Sequence, residues 1–180
     1  MNKILKLTFI LFLVCAIVAG VLGGIYELTK DTIEMQKEAK TAKAYASVLA
    51  ADSYTDVDFD KEAFPTVDSI AAADNGVGHV VMTTSSGAQG SITMAVGVDT
   101  EFKCTGISII SHSETSGLGA NAASTAKVGV DFRTQFVGQD SSCAITKAGG
   151  EIDALTGATI TSRSIANATA TAIKAVESLG

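Results

Sequence analysis

Nineteen uncharged residues run from Leu7 to Ile25, and most of them are apolar. At about 1.5 Å per residue, a helix of that length nearly crosses the roughly 30 Å hydrocarbon layer of a bilayer. A basic start, Lys3 and Lys6, followed by an apolar run fits either a cleaved signal peptide or a retained anchor. Signal sequences usually carry an apolar stretch of about 7–15 residues, so the length here favours a retained span. Small residues at Gly20, Gly23 and Gly24 keep cleavage open, and Cys15 lies too deep in the run to suit lipid attachment. Lys3 and Lys6 put the short N-terminus in the cytoplasm, although Lys30, Lys37, Lys40 and Lys43 beyond the span weaken that bias.

After the span the pattern changes. Residues 28–50 are rich in Ala, Lys and Glu and predict a helix, with Ile33, Met35, Ala44, Val48 and Leu49 as its apolar members. Residues 51–76 are acidic, contain Pro65 and read as a loop. His79–Thr84 and Ser91–Val98 alternate as strands around a hairpin connection at Ser85–Gly90. Thr105–Ile110 predicts a third strand, being rich in β-branched residues. Ser111–Asn121 reads as a glycine-rich loop, Ala122–Phe136 as a helix and Ser142–Thr146 as a short strand. Ile165, Thr169, Ala172, Ile173, Val176 and Leu179 recur at helical spacing and predict an amphipathic helix over about Thr161–Ser178. The expected class is α+β: a cytoplasmic start and transmembrane helix over residues 1–28, a helical stalk over 29–50, and a small extracytoplasmic domain over 51–180. Its sheet is mostly antiparallel, with flanking helices.

Charge sharpens this division. The 180 residues carry a formal net charge of −6, and both lysines before Tyr26 lie on the membrane side. The remainder therefore carries −8. An acidic domain of this kind argues against nucleic acid, whose phosphates call for a basic face. With no Trp and only His79 and His112, a His-rich metal site has too few ligands. Cys104 and Cys143 can pair outside the cytoplasm or stay as buried thiols; spacing does not decide between these.

Several catalytic patterns fail on context. His112 and Glu114 form an HxE without the PCxxC segment of zinc deaminases. Gly117-Leu118-Gly119-Ala120-Asn121-Ala122 fits GxGxxA, and Asp140 follows about 20 residues on. No βαβαβ run surrounds it, so a dinucleotide fold is not expected. Asp153-Ala154-Leu155-Thr156-Gly157-Ala158-Thr159-Ile160-Thr161-Ser162 precedes the last helix. Hydroxyl residues and a glycine there are ordinary capping chemistry. Four hydroxyls beside free N–H groups at a helix start also suit a phosphate.

Those residues carry a resemblance. Asp153–Thr159 resembles the Dxx(S/T)GAT flavinylation motif of extracytoplasmic FMN-binding domains. His112-Ser113-Glu114-Thr115-Ser116-Gly117-Leu118-Gly119 is similar to the HxETPGLG loop of the same domains, with Ser116 where Pro is usual. Phe132-Arg133-Thr134-Gln135-Phe136-Val137-Gly138 is similar to their FxxQFxG stretch. Together with the span and stalk, nearly the whole chain resembles the G-subunit family of the Rnf ion-translocating electron-transport complex. It resembles less well the related C subunit of the sodium-pumping NADH:quinone reductase.

The resemblance implies FMN joined through its phosphate to Thr159, installed by a magnesium-dependent FMN transferase that uses FAD and recognises Asp153. Thr156, Gly157 and Ala158 complete the motif. Thr161 and Ser162 are expected as phosphate donors. Glu114, Thr115, Gly117, Leu118 and Gly119 are expected to pack against the flavin ring. No catalytic or metal-ligating residue is expected. The implied role is a single-pass inner-membrane flavoprotein, partnered by other Rnf subunits. It would relay electrons in a ferredoxin:NAD oxidoreductase coupled to Na⁺ or H⁺ transport. A stand-alone extracytoplasmic flavin carrier is the nearest alternative. A pilin-like structural protein is a further one, disfavoured because no acid occurs before Glu27.

Overall fold

The computed structural model describes residues 3–180, which form two compact units divided between Lys40 and Thr41. In the first unit, helix α1 (Lys3–Val48) begins and leaves every described side chain exposed as far as Lys40. The helix is long and apolar enough to cross a membrane. Over Leu7–Ile25 the exposed surface is largely apolar and uncharged, the pattern of a segment suited to lipid, whereas residues 27–40 carry seven charged side chains.

The second unit, Thr41–Gly180, contains the end of α1 and an antiparallel sheet. Its strands are β1 (Tyr54–Val57), β2 (Val67–Ala73), β3 (Gly78–Ser86), β4 (Ser91–Asp99) and β5 (Cys104–His112). They pair in sequence order, β1-β2-β3-β4-β5, so each connection joins neighbours. β3 and β4 run in unbroken register from Gly78↔Asp99 to Ser86↔Ser91. β4 and β5 are interrupted by irregularities at Thr93/Met94 and Gly97/Val98.

Alternation along β4 explains the layers. Ile92, Met94, Val96 and Val98 face one core, joined by Val81, Ile70, Ile107 and the buried face of helix α3 (Thr159–Glu177). Ile165, Ala166, Thr169, Ala172, Ile173 and Val176 make that face. The Phe132 and Phe136 rings, edge-on at 5.3 Å, extend the core under helix α2 (Lys127–Thr134). The opposite sheet face carries Val80, Ala95 and Ala73, covered by Ala44, Val48 and Leu49. The end of α1 is fixed there by Thr105, whose hydroxyl donates to the Val48 carbonyl.

The α+β class, the antiparallel sheet and the C-terminal helix agree with the sequence. Four local readings do not. The segment read as a loop over 51–76 holds β1 and β2. β2 reads Val67-Asp-Ser-Ile-Ala-Ala-Ala, where small buried alanines replace the usual alternation of bulky residues. The helix expected over Ala122–Phe136 is divided. A 3₁₀ turn covers Gly119–Ala123, Ser124 is extended, and α2 starts at Lys127. Ser142–Thr146 is a turn with a single bridge, Ile145↔Ile152. α3 begins at Thr159, earlier than the apolar periodicity indicates.

Cys104 and Cys143 are free, buried thiols in the same core. Burial pushes Cys104 up to about 12, with Cys143 nearby adding to the rise. Burial also pushes Cys143 up to about 11, helped by Asp140. Both folded values are raised from about 9, so the folded state gains nothing from thiolate formation. Stability is therefore fully present below about pH 9 and declines as the pH rises toward 11–12, because unfolding releases the protons. At pH 8.5 iodoacetamide should label these two thiols slowly in the folded chain and promptly in urea, read by peptide mass spectrometry.

Candidate functional site

α3 starts at a turn that its own side chains close. The Ala158 N–H donates to the Leu155 carbonyl at 3.0 Å. Ser162, fully buried, accepts from the Leu155 N–H at 3.0 Å and donates to the Ala158 carbonyl at 2.9 Å. The Ser162 N–H makes the first helical bond, also to Ala158, at 3.0 Å. The amides of Thr159, Ile160 and Thr161 precede that bond and form the electropositive end of the helix. Ala158, the residue before the helix, makes no side-chain capping bond.

Upstream, Gln135 grips the backbone of Asp153. Its Oε1 accepts from the Asp153 N–H at 2.7 Å, and its Nε2 donates to the Asp153 carbonyl at 3.4 Å. This pairing connects the end of α2 to the segment leading into α3. Arg133 ties the preceding loop down by donating to the carbonyls of Ala122 and Ser124, the latter at 2.9 Å. Partial burial lowers the guanidinium from its ordinary value, and both acceptors are neutral.

The loop Ser113–Leu118 folds over the start of α3. A cavity of about 310 Å³ lies between them, within the range typical of small-ligand sites. Thr159 and Thr161 line it from α3, with Gly157, Ala158 and Ile160. Glu114, Thr115, Leu118 and Gly119 line it from the loop, and Ala88 and Gln89 from the β3–β4 hairpin. Leu118 and Ile160 are exposed apolar side chains, at 43% and 62%. Gly157 has φ +74°, and a Cβ there would meet Leu118 Cδ2 at 2.9 Å. Glycine thus serves two needs: the left-handed backbone and the seat for Leu118.

Eight of the residues singled out in the sequence therefore share one cavity. Asp153, Thr156, Gly117 and Ser162 do not line it. Thr156 and Asp153 are exposed beside the turn, and Ser162 sits beneath it. The hydroxyls expected as phosphate donors are otherwise engaged: Ser162 bonds as above, and Thr161 donates to Glu114 Oε2 at 2.8 Å. The part played by Ala88 and Gln89 has no signal in the sequence, since backbone N–H groups carry none. Gln135 does have one, because it lies in the Phe132–Gly138 stretch.

A phosphorylated aromatic ligand fits these features. The Thr159 side chain is half-buried at the cavity, free helix amides surround it, and apolar groups stand ready for a ring.

Comparison with known proteins agrees. Residues 87–174 match the FMN-binding domain, and residues 1–48 match the RnfG N-terminal region. The G subunit of the ion-translocating oxidoreductase complex of Methanosarcina acetivorans is 30% identical over 181 residues, covering 96% of this chain and 94% of that protein. The chain belongs to the G-subunit family of ion-translocating oxidoreductase complexes. Another member, the G subunit of the proton-translocating ferredoxin:NAD(+) oxidoreductase complex of Clostridium ljungdahlii, is 31% identical over 97% of this chain and 92% of its own length. A third, from Cronobacter sakazakii, is 30% identical over 85% of this chain and 80% of its own length. The match to the FMN-binding domain spans both walls of the cavity in this G-subunit family member.

Gly157→Ala should lower the unfolding free energy by about 1–2 kcal/mol from left-handed strain alone. Gly138→Ala carries similar strain, at φ +83°, with nothing near its added Cβ. Urea denaturation should show comparable losses, whereas the Leu118 methyl resonances should move only in Gly157→Ala.

Proposed function

We propose that this chain is a membrane-anchored flavoprotein subunit that carries FMN as a phosphoester on Thr159 and passes electrons within an Rnf-type complex. That complex would couple ferredoxin oxidation and NAD reduction to Na⁺ or H⁺ transport, with other subunits binding ferredoxin and nicotinamide. The observation that carries the reading is the position of Thr159. It is the first residue of α3, and it lines the cavity that the Ser113–Leu118 loop helps to build.

The Thr159 hydroxyl is a weak nucleophile alone. No side chain in the cavity is a hydroxyl-activating histidine or lysine among the described residues. A separate FMN transferase therefore supplies the activation. In that transfer Thr159 Oγ would form the new bond to the FMN phosphorus of FAD as the pyrophosphate bond breaks, with AMP as the leaving group and the hydroxyl proton passing to the transferase. Asp153, exposed before the turn, is available for that enzyme to recognise. A phosphodiester on Thr159 would carry a single negative charge at the N-terminus of α3, where the helix dipole would stabilise it by about 0.3–1 kcal/mol.

FMN, when bound, supplies the electron-accepting chemistry. The protein supplies position: Leu118 offers an apolar contact, and Gly157 lets it seat. A covalent link keeps the cofactor at a high effective concentration outside the cytoplasm. In this reading residues 1–28 are a cytoplasmic start and a transmembrane helix, 29–50 form a stalk, and 51–180 are the extracytoplasmic domain. The uncharged run Leu7–Ile25 holds no acidic residue, which favours a relay over the ion path.

Co-expression with an FMN transferase, followed by a denaturing gel, should give a band with flavin fluorescence. Thr159→Val should reduce the signal to background, and Thr171→Val, on α3 outside the motif, should retain it. Fluorescence that survives in Thr159→Val overturns the assignment. So does a dark native band when the transferase modifies another acceptor in the same cells.

A further inference from the structure

We infer that Glu114 is a positioning residue whose carboxylate joins the β3–β4 hairpin to the first turn of α3, and so fixes where Thr159 presents its hydroxyl. The inference rests on the reading of Thr159 given above and assigns Glu114 a different role from the ring contact expected of its loop. Glu114 Oε1 accepts from the Ala88 N–H at 2.7 Å and from the Gln89 N–H at 3.3 Å. Oε2 accepts from the Thr161 hydroxyl at 2.8 Å. The bridge thus links residues 25, 26 and 47 positions away in the chain.

Chemistry explains the residue type. All three partners donate, and an ionised carboxylate is the side chain that only accepts. No Lys or Arg pairs with Glu114 among the described residues, so its charge is met by neutral donors alone. Two consecutive amides facing one oxygen form an anion-binding nest. Glu114 fills that nest from within the chain. A ligand phosphate is thereby kept from the hairpin and left with the amides at the start of α3, beside Thr159.

The space for the carboxylate is reserved by glycines on both sides. A Cβ on Gly87 would collide with Glu114 Oε1. A Cβ on Gly119 would collide with Oε2 and stand 2.7 Å from Thr161 Oγ1. The Glu114 backbone is held as well, its N–H donating to His112 Nδ1 at 3.2 Å. A carboxylate merely lying on a surface would have neither the three donors nor the cleared path.

The test uses the full chain in detergent, co-expressed with the FMN transferase, with Glu114→Ala, Glu114→Gln and Thr161→Val. Hydrogen exchange by mass spectrometry reads the hairpin peptide and the first turn of α3. Fluorescence polarisation and visible circular dichroism read the flavin. Glu114→Ala should speed exchange at both places by about tenfold or more, the scale of a lost charge-assisted bond. It should also lower flavin polarisation and weaken the visible dichroism. Glu114→Gln should restore both, because its carbonyl can serve the hairpin amides while its amide meets the Thr161 oxygen. Thr161→Val should free the first turn of α3 and leave the hairpin protected. Unchanged exchange in Glu114→Ala overturns the bridge. Faster exchange with wild-type flavin polarisation and dichroism overturns the positioning role. A native chain without flavin overturns the Thr159 reading and the positioning role with it, while the exchange data still decide the bridge.

Discussion

A sheet with two apolar faces needs two covers, and this requirement organises the domain. β4 places Ile92, Met94, Val96 and Val98 on one side and Ala95 on the other. α3 covers the first side, and the end of α1 covers the second. Apolar area is worth roughly 25 cal/mol per Å² removed from water, so leaving either side open would cost far more than any single bond at the site. The small residues on α3, Ala166, Ala168, Ala172 and Ala175, let its backbone lie close to the strands. The N-terminus of α3 is therefore placed by packing along its whole length. Its hydroxyls and amides inherit that placement.

The site is built at the point where this packed helix emerges beside three connections. The β3–β4 hairpin reaches it through Ala88 and Gln89, the loop after β5 through Glu114 and Leu118, and the end of α2 through Gln135. Each of these contacts is between segments distant in the chain. Loops held in this way on a rigid scaffold are the usual place for binding chemistry. The match to the FMN-binding domain begins at Gly87, at the tip of the hairpin, so the matched segment includes all three connections.

Much of this is legible in the sequence, and the exceptions have physical causes. The apolar run before Tyr26, the β3–β4 hairpin and the buried face of α3 follow from periodicity, because each has one environment along its length. β2 is hidden because its second half is three alanines, of which Ala71 and Ala73 are buried, leaving only Val67 and Ile70 as β-branched residues. β1 is hidden because it is a four-residue edge strand with an exposed centre. Periodicity misses the start of α3 because Thr159 and Ile160 lie on its accessible side, beyond the apolar stripe. At the site, the local motif around Thr159 is visible. The donors that meet Glu114 from the hairpin are not, since a backbone amide looks the same at every position.

The closed hydrogen bonds of Ser162 and Thr161 have a consequence for selectivity. Four hydroxyl side chains lie between Thr156 and Ser162. Ser162 commits its proton to Ala158, and Thr161 commits its own to Glu114. Both are also buried, at 0% and 1% exposure. They behave as protected alcohols, shielded from an electrophile by geometry and by an occupied proton. An enzyme approaching this turn meets only Thr156 and Thr159 as accessible alcohols, and only Thr159 faces the cavity. Under the proposed function, regioselectivity would thus be written into the folded chain before a modifying enzyme arrives.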